Sequence, residues 1–246
     1  SISAGQTTTA NITAKSLTVS GITASNKTYD GSTNATLDAS LVAYSGLVGG
    51  DTFEGTYTGV FSDKNVGTGK TVTITPSYSG ADVSNYSVTD QSSTTANITA
   101  KSLTVSGITA SDKTYDGSTS ATLTGTAVYS GLVSGDTFTG SYTGVFANAN
   151  VGTGKTVNIT SSYSGADVNN YSVTDQSSTT ADISAKALTA TASASNKTYD
   201  GGTTASTTLT FTGLVGSETL GQTVGSTFDN KNVGSNKTVT VNSITL

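Results

Sequence analysis

The chain has 246 residues, a net charge of −5 and an apolar fraction of 33%, and it contains no Cys, no His and no Arg. These absences exclude disulfides, thiolate nucleophiles, Cys- or His-ligated zinc, histidine base catalysis and the bidentate arginine clamp on phosphate or carboxylate. Without a basic run no nucleic-acid partner is expected, and without an apolar run near ~18 residues no membrane insertion of this segment is expected.

In chain order, the opening Gln6 to Thr13 (QTTTANIT) matches the later text Gln91 to Thr99 (QSSTTANIT), so residues 1–14 read as the tail strand of a preceding repeat. Ser1 to Gly5 lacks the charged and apolar regions of a signal peptide, and a chain without thiols is compatible with export. Repeat 1 is assigned to residues 15–100, repeat 2 to 101–185 and repeat 3 to 186–246, the last stopping before any counterpart of Ser79–Thr99. The period is set by Thr28-Tyr29-Asp30-Gly31, which returns as Thr114-Tyr115-Asp116-Gly117 and as Thr198-Tyr199-Asp200-Gly201. Self-similarity at one period makes each unit a small fold copied along the chain.

Within a repeat the apolar period is two rather than 3.6. Leu17 and Val19, Val72 and Ile74, and Tyr86 and Val88 alternate with Ser or Thr, the pattern of half-buried strands with hydroxyls outside. Phe53, Gly55, Tyr57, Gly59 and Phe61 would share one strand face and are read as core, because the third repeat keeps the apolar spacing as Leu220, Val224 and Phe228 without the rings. Asp30-Gly31, Gly49-Gly50-Asp51, Val66-Gly67-Thr68-Gly69 and Ser79-Gly80-Ala81-Asp82 are turn signals. The expected fold is therefore all-β: tandem small antiparallel β-sandwich repeats of Ig-like type, with a β-grasp-like repeat as the alternative. The junction Thr94 to Val105 passes between repeats without Gly or Pro, so neighbouring repeats are expected end to end in a restricted orientation, as a stiff rod.

The Lys-Thr-Tyr-Asp-Gly-Ser/Thr turn, the Tyr-Ser-Gly-Leu-Val-x-Gly-Asp text at Tyr44–Asp51 and Tyr129–Asp136, and Asn-Val-Gly-x-x-Lys at Asn65–Lys70, Asn150–Lys155 and Asn232–Lys237 resemble the YDG-type repeats of large bacterial surface proteins, including filamentous-haemagglutinin-like adhesins. The resemblance implies an extracellular, cell-surface spacer for adhesion.

The candidate chemistry is thin. The residues Tyr29, Asp30, Gly31, Tyr115, Asp116, Gly117, Tyr199, Asp200 and Gly201 are read as structural turns, Gly supplying φ > 0 and Asp bonding the local backbone. A calcium site combining Asp30 with Asp51 or Asp82 is the sharper alternative, although no D-x-D-x-D pattern is present. Lys27, Lys70 and Asn65 recur in a way that a Lys–Asn cross-link would use, and Asn-x-Ser/Thr triplets, among them Asn26, Asn85 and Asn97, are formal glycosylation acceptors. No catalytic residue is assigned, since no nucleophile–base pair can be assembled, and the chain is expected not to be an enzyme. Two functional classes follow: a stalk or filament segment, and a module whose loop tips at Gly46–Asp51 or Gly80–Asn85 bind glycan or protein. The expected partners are neighbouring repeats of the same chain and other copies end to end, the latter by addition of the spare terminal strand.

Overall fold

The computed structural model describes residues 4–246; Ser1–Ser3, part of the expected tail strand, lie outside the described residues. Repeat 1 contains β1 (Lys15–Ser20), β2 (Thr23–Ala24), β3 (Lys27–Thr28), β4 (Asn34–Ala35), β5 (Leu37–Asp38), β6 (Ala43–Ser45), β7 (Glu54–Phe61), β8 (Gly67–Ser79), β9 (Tyr86–Thr89) and β10 (Ser93–Thr99). They form a three-stranded sheet in the order β6-β1-β9, a five-stranded sheet in the order β3-β10-β8-β7-β4, and a small β2-β5 ribbon. Gln6–Ala14 lies outside the described strands.

The spine is the long β7–β8 hairpin, in register from Glu54 opposite Ser79 to Phe61 opposite Val72. Its two halves serve different cores. Toward the hairpin ends, Ile74 packs with Val19 and Ile22, and half-buried Tyr57 and Tyr78 join them; Leu17, Phe53 and Tyr86 form the adjoining cluster. At the other end Phe61, Val72, Ala96 and Ile98 are buried. Of the expected aromatic stripe, Tyr57 and Phe61 lie on β7 and face inward, and Phe53, also buried, stands just before the strand. Its glycines make room for neighbouring side chains: a Cβ on Gly55 would stand 2.3 Å from the Tyr57 hydroxyl oxygen, and one on Gly59 would stand 2.8 Å from Leu37 Cδ2.

The pairing is mixed rather than wholly antiparallel, a correction to the expectation. β1 runs parallel to β9, and β10 parallel to β3. The reason is the route of the chain after β8. The 3-10 turn Val83–Asn85 leads into β9 on the three-stranded sheet, and β10 then belongs to the five-stranded one. The chain thus changes sheets twice instead of turning back within one.

Repeat 2 repeats this plan with β11 (Lys101–Ser106), β12 (Thr109–Ala110), β13 (Lys113–Thr114), β14 (Ser120–Ala121), β15 (Leu123–Thr124), β16 (Val128–Ser130), β17 (Thr139–Phe146), β18 (Gly152–Ser164), β19 (Tyr171–Thr174) and β20 (Ser178–Ser184). Only Ala100 separates β10 from β11, so the last strand of one repeat continues almost directly into the first of the next. Repeat 3 contains β21 (Thr189–Ala194) paired with β22 (Thr207–Thr212), and β23 (Thr223–Phe228) paired with β24 (Val239–Thr245).

The chain forms two compact units that do not coincide with the repeats. The first comprises the described residues up to Gly107 with Ala127–Ser141 and Ser161–Gln176; the second comprises Ile108–Thr126, Tyr142–Thr160 and Ser177–Leu246. The first unit therefore holds repeat 1 together with the three-stranded sheet β16-β11-β19 of repeat 2. The second unit has its own core of Phe146, Val157, Ala181 and Ile183, closed by half-buried Tyr115, Leu123 and two alanines.

The Ala-Asn-Ile-Thr text occurs in two environments, which makes an internal control. Ile98 is 1% exposed beside β8 and β3, whereas Ile12 is 102% exposed. Ile98→Ala is expected to cost about 2–5 kcal/mol of stability, as for other buried aliphatic truncations, and Ile12→Ala is expected to leave the unfolding transition of the chain unchanged; denaturant unfolding of the two variants checks this.

Candidate functional site

The sequence-assigned turn at Lys27–Ser32 is tied by its own side chains. Asp30 Oδ1 accepts from the Ser32 amide at 2.8 Å and from Lys27 Nζ at 2.8 Å, the local carboxylate-to-backbone bonding expected of an Asp in a turn. Lys27 Nζ also donates to the Ser32 and Asn34 carbonyl oxygens and lies 5.5 Å from the centroid of the Phe61 ring. The same arrangement recurs as Lys113–Asp116 at 2.7 Å and Lys197–Asp200 at 2.8 Å. The Lys113 ammonium and the Ser118 donors hold the Asp116 carboxyl down to about 2, and the Lys27 and Ser32 donors, outweighing burial, hold Asp30 below its ordinary value.

The turn places Tyr29 where the next repeat closes over it, within the first unit. Tyr29 is 1% exposed. Its hydroxyl donates to Asp136 Oδ2 at 2.8 Å, and its ring meets that of Tyr171 edge-on with centroids 5.6 Å apart. Tyr171 donates its own hydroxyl to the same Asp136 oxygen at 2.5 Å. From the β7–β8 turn of repeat 1, Lys64 Nζ reaches Asp136 Oδ1 at 3.0 Å and Asp167 Oδ1 at 2.8 Å. Beside it Asn170, 2% exposed, accepts from the Val66 amide at 2.9 Å and donates Nδ2 to Asn65 Oδ1 at 3.2 Å. One lysine, two carboxylates, two tyrosines and two asparagines from successive repeats therefore form a single polar lock. Gly31, at φ 79°, completes it: a Cβ there would stand 2.8 Å from Val133 Cγ1. Its left-handed conformation and the close approach of Val133 both require glycine.

The second unit contains a reduced version. Tyr115 donates to Glu218, whose Oε2 accepts from the Val215 amide at 3.2 Å, and a Cβ on Gly117 would meet Val215 Cγ1 at 3.0 Å. Ala149 stands where repeat 1 has Lys64. An open cleft of about 320 Å³ lies there, lined by Tyr115, Val151, Leu188 and Glu218. Tyr199, by contrast, is 59% exposed.

Of the residues weighed as a calcium site, Asp30 is engaged by Lys27 and Ser32, Asp51 accepts from Tyr86 at 2.5 Å, and Asp82 accepts from the Thr52 amide at 2.9 Å. Among the described residues no group of three or more acidic side chains is placed to hold a metal ion. Of the residues weighed for a cross-link, Lys70 pairs with Asp63 at 2.7 Å rather than with Asn65. Sequence reasoning marked Tyr29 and Gly31 but missed Lys64, Asp136, Asp167, Asn170 and Tyr171 as their partners. The signal was present in the repeated Asn-Val-Gly and Gly-Asp texts, which were read as turns, family markers and candidate cross-link, calcium or ligand-binding positions but not as partners of the Tyr-Asp-Gly turn.

The electrostatics of the lock follow from its geometry. Burial works against the Asp136 carboxylate, but donors from Tyr171, Tyr29 and Lys64 outweigh it and hold its pKa below the ordinary carboxylate value. Asp167 is held low by Lys64 and then by the Thr137 amide. Asp167 and Asp136 in turn raise Lys64 above the ordinary lysine value. Burial, then the bond to Asp136, raises Tyr29 and pushes Tyr171 up to about 12.

Two predictions follow from this geometry. Removing the Tyr29 hydroxyl in Tyr29→Phe is expected to cost about 1–2 kcal/mol, and removing the ring in Tyr29→Ala about 3–5 kcal/mol; Tyr115→Ala should cost less, and Tyr199→Ala should be within about 0.5 kcal/mol of the parent, as at other exposed sites. Denaturant unfolding of the series gives the ranking. The pH dependence has a definite sign. Depressed carboxylates contribute above their unfolded values near ~4 and lose that contribution as pH falls through the folded values; a raised lysine and raised tyrosines contribute below their unfolded values near ~10 and lose it as pH rises through the folded ones. The melting temperature should therefore be flat from about pH 5 to pH 9 and fall on either side, and the acid limb should be shallower in Lys64→Met, measured by thermal melts across the pH range.

No curated protein and no solved structure matches the chain. The YDG domain profile matches residues 13–96, 99–181 and 184–246. The three matches, each carrying one Tyr-Asp-Gly turn and together spanning nearly the whole sequence, place this chain in the YDG domain family.

Proposed function

We propose that the chain is a spacer segment of a bacterial surface adhesin, extracellular and non-catalytic, whose task is to hold a distal binding region away from the cell on a stiff stalk. The observation that carries this reading is the burial of the motif tyrosine by the following repeat. Tyr29 is 1% exposed, bonded to Asp136 and stacked edge-on with Tyr171, so the family's signature turn couples successive repeats. The one-residue passage from β10 to β11 supports it, since it leaves the junction without slack. The hydroxyl-rich, thiol-free composition fits life outside the cell.

The loop tips Gly46–Asp51 and Gly80–Asn85, the alternative glycan- or protein-binding surfaces, have counterparts in repeat 2 at Gly131–Asp136 and Gly165–Asn170. There Asp136, Asp167 and Asn170 hold Tyr29, Lys64, Asn65 and Val66 of repeat 1. That use favours the spacer reading for these loops.

Small-angle scattering of the 246-residue chain tests the proposal. The expected result is one extended particle with the cross-section of a single repeat, and a measurably broader distance distribution in Tyr29→Ala. A compact particle, or freely hinged repeats in the parent chain, would overturn it.

A further inference from the structure

Lys64 touches two carboxylates at once. Its Nζ stands 3.0 Å from Asp136 Oδ1 and 2.8 Å from Asp167 Oδ1, and the side chains of these acids are only 3% and 10% exposed. The other ion pairs among the described residues each join a lysine to a single carboxylate whose side chain is 45% to 61% exposed. A salt bridge needs one acid. An amine held against two sheltered acids has what an amide condensation needs, an acceptor carbon and a proton carrier.

The two acids are differently equipped. Asp136 Oδ2 accepts from the Tyr29 hydroxyl at 2.8 Å and from the Tyr171 hydroxyl at 2.5 Å. Two donors therefore already point at the oxygen on which negative charge grows when an amine adds to Asp136 Cγ. Asp167 suits the other role: its Oδ2 is fixed by the Thr137 amide at 2.9 Å, while its Oδ1 makes the shorter of the two contacts to Nζ. We propose that Lys64 Nζ and Asp136 Cγ condense to an isopeptide bond that joins repeat 1 to repeat 2 within the first unit, with Asp167 as the proton carrier.

In this step the nitrogen electron pair attacks Cγ, and the carbonyl electrons move to Oδ2 under the two phenol hydroxyls. Asp167 Oδ1 relays two of the three ammonium protons to Asp136 Oδ1. The Cγ–Oδ1 bond breaks with its electrons on oxygen, and one water leaves. Lys64 and Asp136 each lose their charge, Asp167 ends as the carboxylate it began as, and the step is redox-neutral. Water opposes condensation, and the lock counters this by holding the groups in contact, an arrangement worth an effective concentration on the order of 10⁵ M or more. The resting lock favours the charged forms of Lys64, Asp136 and Asp167, so the uncharged pair is a minor population and the bond forms slowly, after folding. The second unit is an internal control: Ala149 stands in the place of Lys64 and Glu218 in that of Asp136, so the corresponding bond does not form there. This inference does not rest on the spacer reading, because the bond joins two repeats whatever the chain is used for.

Intact mass of the 246-residue chain, kept folded for days at physiological temperature, is the test, with proteolysis to map any branch. The expected result is a chain lighter by one water and a branched peptide joining the segments around Lys64 and Asp136. Neither is expected in Lys64→Arg, which keeps the positive charge but has no primary amine. Asp167→Asn, which keeps an acceptor for the Thr137 amide, should form the bond at least about a hundredfold more slowly. A parent that keeps its full mass overturns the proposal. So does a water loss that persists in Lys64→Arg, which would be ring closure at an Asp-Gly turn such as Asp30-Gly31. A branch at Asp167, or an unchanged rate in Asp167→Asn, overturns the roles given to the two acids.

Discussion

The donation from the Tyr29 hydroxyl to Asp136 is the contact on which the junction within the first unit depends. A buried phenol needs an acceptor, and a buried carboxylate needs donors and a counter-charge. Asp136 receives Tyr29, Tyr171 and Lys64, so each group satisfies another's requirement. Tyr171 bonds Asp136 within repeat 2, but Tyr29 and Lys64 come from repeat 1, so their bonds to Asp136 form only when the two repeats meet in one geometry. The lock converts a hydrogen-bonding requirement into a constraint on the direction of the chain. Its polar character also suits a protein with little apolar residue to spare, since a wide hydrophobic interface would compete with the thin cores for the same side chains.

A second constraint is the closing strand. β10 covers the core around Phe61 and Val72, bonds β3 through a parallel pair, and reaches β11 after one residue. The strand that finishes one repeat therefore also aims the next. Beside β24, which pairs with β23 among the described strands, the corresponding Phe228 and Val239 are half-buried and line a cleft. Burial at these positions is a property of the neighbouring strand and not of the residues themselves.

Much of the fold was legible because strand alternation is a local property. Leu17, Val19, Val72 and Ile74 lie inward as their period requires, and Phe53, Tyr57 and Phe61 share the face that the spacing assigns. The glycines at 55 and 59 could be seen as small partners in a stripe, but which groups occupy the space they leave, the Tyr57 hydroxyl and Leu37, is a matter of cross-strand neighbours. The parallel pairings of β1 with β9 and β3 with β10 were not legible, because they arise from where the chain crosses between sheets, and the text of the Val83–Asn85 turn does not encode a destination. Lys64, Asp167 and Asn170 looked like ordinary turn residues for the same reason: the pairs Lys64–Asp167 and Val66–Asn170 are more than a hundred residues apart in the sequence.

By itself the sequence determined the all-β class, the period, the turn chemistry of Lys27-Thr-Tyr-Asp-Gly and the family, because each is carried by residues adjacent in the chain. The tertiary structure alone decided that Tyr29 is buried beneath Asp136 and Tyr171 while Tyr115, in the same five-residue text, is half-buried against Glu218. The physical reason is that the fate of a tyrosine depends on whether a carboxylate and a second ring are brought over it. That is settled by the repeat that follows and not by the turn that presents it.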